Sequence, residues 1–183
     1  MLDAMAHRGP DGIGRFYEGQ AGLGHAMLRV TPESFGEIQP LGDETGAIRL
    51  TFDGRIDNRR ELRELVEAAG AQVRSDTDPE LVLKAFQSLG EDCVRRMLGD
   101  FAFVIWDATH RRLFCARDQS GIRPFYYYCD GKTFLAASEL QQILHYPGLP
   151  QEPNEGLIGE FLTGCEPEHF QGRRTSHEAT AGA

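Results

Sequence analysis

Two amphipathic helices lie between two groups of strands in this sequence, and this arrangement constrains the fold more than any other feature. The first helix follows Asn58, a residue type that favours helix N-caps, and its Leu62, Leu65 and Val66 share one apolar face. The second helix has apolar residues at a period of about 3.6 and ends at Gly90. Short connections join the strands on both sides, which favours antiparallel pairing. We therefore predict an α+β layered domain with antiparallel sheets.

The strands are predicted where apolar and polar residues alternate, or where a short apolar run ends at a turn. In chain order, these segments are residues 14–18, 22–30, 47–52, 101–107, 112–116, 124–129 and 132–137. Further short helices are predicted at residues 2–8, 138–144 and 154–162. The periodicity ends at Glu166, and the polar segment 171–183 is predicted to be a disordered tail.

Charge and hydropathy exclude several kinds of partner. The 19 Lys and Arg residues against 28 Asp and Glu residues give a net charge of −9, which is unfavourable for binding nucleic acid or an anionic membrane. No apolar run approaches the roughly 20 residues of a membrane span, and no secretory signal is expected, so we predict a cytoplasmic protein. The four cysteines have no metal-ligand spacing with a histidine, so they are predicted to be reduced thiols and no metal site is expected.

Several motifs occur in an order and spacing that we can compare with known families. They are His7-Arg8-Gly9-Pro10-Asp11-Gly12, Gly24-His25, Gln39-Pro40-Leu41, Asp53-Gly54-Arg55-Ile56-Asp57-Asn58, Leu98-Gly99-Asp100-Phe101, Trp106-Asp107, Ala116-Arg117-Asp118 and Ala137-Ser138-Glu139. Together they resemble the class II glutamine amidotransferase domain of asparagine synthetases. The resemblance implies an N-terminal-nucleophile αββα sandwich of two antiparallel sheets, lacking its first strand, over residues 1–150. It also implies that residues 151–170 begin an interdomain segment.

One segment, Thr31-Pro32-Glu33-Ser34, is similar to a particular branch of this family. The branch includes the asparagine-synthetase-like cyclases of lasso-peptide biosynthesis, which activate a carboxylate with ATP and do not need glutamine as a nitrogen donor.

The resemblance implies glutamine hydrolysis, yet this chain departs from the family at the nucleophile. In the family, an N-terminal cysteine attacks the amide carbonyl, and its own α-amine accepts the proton. Here Leu2 is the second residue, and the first cysteine is Cys93. We therefore expect no catalytic residue in the chain, while an open alternative is that the true start lies upstream.

Four positions of the family's glutamine pocket are carried over one by one. The arginine that binds the substrate carboxylate corresponds to Met27, with Arg29 as a neighbouring candidate to replace it. The oxyanion-binding Asn-Gly pair corresponds to Asp53 and Gly54, so only the Gly54 N–H remains a donor. Asp78 matches the aspartate that contacts the substrate ammonium, and it equally suits a helix N-terminus. These four positions are predicted to be remnants of a glutamine pocket. His25 is expected to be a structural histidine of a strand.

Three functional hypotheses follow. The first is a truncated, glutaminase-inactive amidotransferase-like domain of a protein that forms an amide bond through an ATP-activated carboxylate. The family's Ser-Gly-Gly-x-Asp-Ser phosphate loop does not occur here, so ATP and Mg²⁺ are expected only in a separate synthetase domain. The expected partners are that synthetase or cyclase domain or subunit and, weakly, L-glutamine. The second hypothesis is a glutamine-hydrolysing, ammonia-supplying domain for asparagine biosynthesis, and the third is a non-enzymatic module that binds a partner or peptide.

Overall fold

The structure is a computed structural model that describes residues 1–149, 153 and 155–163. The chain divides into two compact units, Met1–Pro147 and Gly148–Ala183. In the second unit the described element is helix α4 (Glu155–Leu162), close to the helix predicted at residues 154–162. The predicted disordered tail lies outside the described residues, as does half of the predicted interdomain segment, namely residues 151, 152, 154 and 164–170.

The first unit contains eight strands and three α-helices among its described residues. The strands are β1 (Ile13–Glu18), β2 (Ala21–Ala26), β3 (Leu41–Gly42), β4 (Ile48–Ile56), β5 (Gly99–Asp107), β6 (Arg112–Arg117), β7 (Tyr126–Cys129) and β8 (Phe134–Ala137). The helices are α1 (Arg59–Ala68), α2 (Asp78–Leu89) and α3 (Leu140–Leu144), with 3₁₀ helices at Leu2–Arg8, Pro32–Gly36 and Gly90–Arg96. This mixture of helices and antiparallel sheets confirms the predicted α+β class.

The antiparallel strands fall into three hydrogen-bonded groups rather than the two predicted sheets. The main sheet has the order β3-β4-β5-β6, and β1-β2 and β7-β8 are separate hairpins. Three strands are shorter than predicted, among them β8, which begins at Phe134 and not at residue 132. Strand β2 ends at Ala26, since the backbone of Met27 bonds to the turn at Asp11 and Gly12 instead. Strand β7 begins at Tyr126, two residues after Pro124, which has no N–H to donate to a ladder.

The alternation of side chains along β4 and β5 divides the main sheet into two faces. On one face, Leu50 and Phe52 of β4 and Phe103 of β5 are almost fully buried in a core shared with α1 and α2. Each such side chain contributes about 1.5–3 kcal/mol by leaving water. The opposite face presents the intervening residues, including Thr51 and Asp53, and this face carries the site described below.

One predicted helix signal has a different role in the structure. Asn58 precedes α1 as expected, but its side chain makes no capping bond to that helix. Its amide donates to the carbonyl of Arg96 at 2.9 Å and accepts the N–H of Leu98 at 2.9 Å. The predicted side-chain cap is therefore wrong, because the loop before β5 uses both groups of the Asn58 amide.

Among the described helices, none combines the length and apolar character needed to cross a membrane.

Candidate functional site

A cleft with a volume of about 460 Å³ lies on the face of the main sheet that points away from α1 and α2. Thr51 and Asp53 of β4 line it, together with residues of β2 and of the loop that follows β2. Met27, Asp53, Gly54 and Asp78 all line this cleft. The structure thus brings together the four predicted pocket residues, whose role in binding stays a prediction.

Asp53 is paired with a cation inside the cleft. Its Oδ1 lies 3.3 Å from Nη1 of Arg123, and both side chains are about two-thirds buried. The loop carrying Arg123 is held by Asp118, whose carboxylate accepts the backbone N–H groups of Ile122 at 3.0 Å and Arg123 at 3.1 Å. The charge at position 53 is therefore compensated rather than isolated. Sequence reasoning missed Arg123, because 70 residues separate it from its partner.

Gly54 occupies a point of close backbone approach. Its φ is +152°, and a Cβ there would lie 2.2 Å from the carbonyl oxygen of Asp100 on the neighbouring strand β5. Residues with a side chain rarely adopt this backbone conformation. A glycine is therefore required at this position by the sheet itself, whatever chemistry its N–H performs.

Met27 and Arg29 differ in their access to the cleft. Met27 is only 6 % exposed and contributes an apolar wall. The Arg29 guanidinium donates to the backbone carbonyls of Asp11 at 2.9 Å, Ser34 at 3.1 Å and Glu37 at 3.4 Å. Arg29 does not line the cleft. The prediction that Arg29 is a candidate to bind the substrate carboxylate is therefore wrong, because its guanidinium donors bind backbone carbonyls.

Asp78 joins the end of β4 to the start of α2. Its Oδ2 accepts the N–H of Ile56 at 3.2 Å, and its Oδ1 lies 3.1 Å from Nε of Arg59. Burial raises the pKa of Asp78, while the Ile56 N–H and Arg59 act in the opposite direction. The carboxylate thus has a structural role at the helix N-terminus and still faces the cleft.

A glutamine amidotransferase domain profile matches residues 1–179. This chain belongs to the glutamine amidotransferase domain family.

The relatives and the fold agree with this assignment. Asparagine synthetase [glutamine-hydrolyzing] 3 of Bacillus subtilis is 34 % identical over 177 residues, which cover 94 % of this chain and 28 % of that protein. Amidase chry2 of Gibberella zeae is 34 % identical over 154 residues, covering 82 % and 22 % of the two chains. The amidotransferase domain therefore spans about a quarter of the length of these relatives.

A solved structure supports the predicted fold type. The glutamine phosphoribosylpyrophosphate amidotransferase of Bacillus subtilis matches with a TM-score of 0.54 at 22 % identity, over 66 % of this chain and 28 % of that one. This likeness confirms the N-terminal-nucleophile type of fold for the amidotransferase domain. The resemblance to the asparagine-synthetase family is confirmed as well, while its lasso-peptide branch stays a prediction.

His25 is a cleft residue of the amidotransferase domain that sequence reasoning treated as structural. Its Nδ1 lies 3.3 Å from Oγ1 of Thr51, which joins β2 to β4. Burial lowers the pKa of His25 from 6.5 to about 4, although Asp53 opposes the change. The ring is therefore neutral at physiological pH.

Among the described residues there is no group of three His, Cys, Asp or Glu side chains that could hold a metal ion.

Proposed function

We propose that this amidotransferase domain does not hydrolyse glutamine. The observation that carries the proposal is the carboxylate of Asp53 in the cleft, at the position where the resemblance expects an amide donor. An ionised carboxylate only accepts hydrogen bonds, so it cannot stabilise the oxyanion of a tetrahedral intermediate. Losing one such donor costs about 2.7–4 kcal/mol of transition-state stabilisation.

Met27 supports the same proposal from the side of substrate binding. A buried thioether replaces a guanidinium that would bind the substrate carboxylate through two parallel hydrogen bonds. Arg29 is engaged by three carbonyls and does not take over this role. Binding and turnover of glutamine are both weakened by these two substitutions.

The function we infer is support of a synthetase or cyclase domain or subunit that forms an amide bond through an ATP-activated carboxylate. The similarity to asparagine synthetase [glutamine-hydrolyzing] 3 of Bacillus subtilis supports the synthetase part of this assignment, although that name also describes glutamine hydrolysis. ATP and Mg²⁺ would act in that other domain. A competing function, ammonia supply from glutamine, is favoured by the presence of Gly54 and Asp78 in the cleft.

An ammonia assay separates the two functions. The natural gene product that contains this chain is incubated with L-glutamine, and released ammonia is measured with a coupled dehydrogenase. We expect no release above a protein-free blank. Turnover of glutamine would refute the proposal.

A gain-of-binding experiment tests the two positions directly. We expect the double variant Met27→Arg/Asp53→Asn to bind L-glutamine at least about tenfold more tightly in calorimetry, because it restores a fork-shaped cation and a neutral amide. Met27→Leu is the control, since it keeps the wall apolar. Far-UV circular dichroism verifies folding, and a folded double variant without any gain would contradict the assignment of these positions.

A further inference from the structure

The arginines of the cleft are all engaged by carboxylates. Four arginines line it, and each forms an ion pair: Arg8 with Glu139 at 3.1 Å, Arg55 with Asp57 at 2.8 Å, Arg59 with Asp78 at 3.1 Å and Arg123 with Asp53 at 3.3 Å. A ligand carboxylate would therefore have to share a guanidinium that already has a carboxylate partner. Such a group is disfavoured in the cleft.

Carboxylates in the cleft are in excess, by contrast. Glu33, Glu37 and Asp100 also line it, and none of them forms an ion pair within the described part of the chain. In total, five carboxylates and four guanidiniums line the cleft. This balance favours a cationic group over an anionic one.

Exposed apolar side chains occur along the loop after β2, and this loop contributes part of the cleft lining. We define the apolar rim as Leu28, Val30, Phe35 and Ile38, whose exposed fractions are 56 %, 77 %, 75 % and 78 %. Leu28 and Val30 line the cleft itself. Several exposed apolar side chains on one loop beside a cleft favour the binding of a partner there.

Hydrogen bonds hold the conformation of the loop that carries the apolar rim. Arg29 sits in its middle and donates to the carbonyls of Asp11, Ser34 and Glu37. The Ser34 hydroxyl also donates to the carbonyl of Thr31 at 2.6 Å. These bonds pre-organise the rim, which lowers the entropy lost when a ligand binds there.

We propose that the cleft binds the free N-terminal residue of a peptide, with its ammonium beside the carboxylates and its following residues along the apolar rim. This inference rests on the proposed function, since a cleft that hydrolyses glutamine must hold the glutamine carboxylate. A peptide N-terminus has an α-ammonium but an amide in place of the carboxylate, which matches the pairing of the arginines. A volume of about 460 Å³ suits one or two residues.

The test compares ligands that differ in one group at a time. Calorimetry with this chain uses L-leucine, L-leucinamide, the tripeptide amide Gly-Leu-Phe-NH₂ and its N-acetylated form. We expect L-leucinamide to bind at least about tenfold more tightly than L-leucine, and the free tripeptide at least about tenfold more tightly than its acetylated form. Equal affinities within either pair would overturn the inference.

Surface variants examine both parts of the proposed site without touching the core. Glu33→Gln is expected to weaken tripeptide binding at least about threefold through lost charge, and Phe35→Ser to weaken it similarly through lost apolar contact. Asp57→Asn frees Arg55 and should narrow the preference for L-leucinamide over L-leucine. Tripeptide affinity unchanged in both Glu33→Gln and Phe35→Ser would exclude this cleft as the site.

The outcomes also separate this inference from the proposed function. Absence of both ammonia release and tripeptide binding refutes the peptide site alone. Ammonia release from glutamine refutes the proposed function, whatever the peptide measurements show.

Discussion

His25 shows at the scale of one residue how burial in the cleft controls a charge. The pKa of His25 is lowered from 6.5 to about 4 by burial, so the folded protein takes up this proton only at low pH. The unfolded chain takes it up below about pH 6.5. Because the unfolded state then binds more protons, the free energy of unfolding must fall as the pH decreases through this interval.

We expect the His25→Gln variant to lose this dependence. Between about pH 7 and about pH 5, the parent should lose about 2 kcal/mol more unfolding free energy than the variant. Urea unfolding at several pH values measures the difference. The His145→Gln variant, at an exposed histidine outside the cleft, is the control and should follow the parent. Parallel curves for the parent and His25→Gln would show that the ring is not held neutral.

At the scale of an element, Gly54 shows that one strand position can serve the sheet before it serves any reaction. The backbone of β4 passes so close to Asp100 on β5 that a Cβ at position 54 would lie 2.2 Å from that carbonyl. Two separate causes therefore exclude other residues at position 54: the steric contact with Asp100 and the positive φ.

We predict that Gly54→Ala lowers the free energy of unfolding by about 3 kcal/mol, from backbone strain and the contact with Asp100 together. Chemical denaturation measures it. Gly46→Ala is the matched control, because Gly46 has a φ of +76° but nothing within 4 Å of its Cβ, and it should cost only about 1 kcal/mol. Equal losses in the two variants would mean that φ alone demands glycine at position 54.

At the scale of the first unit, the hairpin β1-β2 forms one wall of the cleft although it is not hydrogen-bonded into the main sheet. Side-chain bonds join them: Nε1 of Trp106 on β5 donates to Glu18 of β1 at 2.7 Å, and Oγ1 of Thr51 on β4 bonds to Nδ1 of His25 at 3.3 Å and to the Gly24 carbonyl at 3.4 Å. Arg49 of β4 also stacks over the ring of Phe16 at 4.7 Å. The position of the hairpin thus depends on a few side-chain contacts rather than on a backbone ladder.

We expect Trp106→Phe to loosen the hairpin selectively. Loss of a hydrogen bond worth about 1 kcal/mol should accelerate hydrogen exchange of the β1 and β2 amides about fivefold while β5 amides keep their protection. Mass spectrometry of exchanged peptides resolves the two regions. Glu18→Gln keeps an acceptor oxygen and should show a smaller change. Uniform acceleration throughout the first unit would contradict a local role for this bond.

Local patterns were sufficient to predict much of this protein. The apolar face of Leu62 and Val66 predicted α1, and the alternation through Leu50 and Phe52 predicted β4, because these periods are properties of neighbouring residues. The family was predicted from motif order. The hydrogen bonds of the Asn58 side chain were not predicted, because its partners, Arg96 and Leu98, come close to it only after folding.

The sequence by itself determined which chemical groups line the cleft at two positions: a thioether at Met27 and a carboxylate at Asp53, where the family resemblance predicts a cation and a neutral donor. Only the tertiary structure decided how those groups are compensated. It placed Arg123 against Asp53 and engaged Arg29 with loop carbonyls. The physical reason is that ion pairing depends on distances between residues that are far apart in the sequence. Those distances are set by the packing of strands and loops, and a local sequence pattern does not contain them.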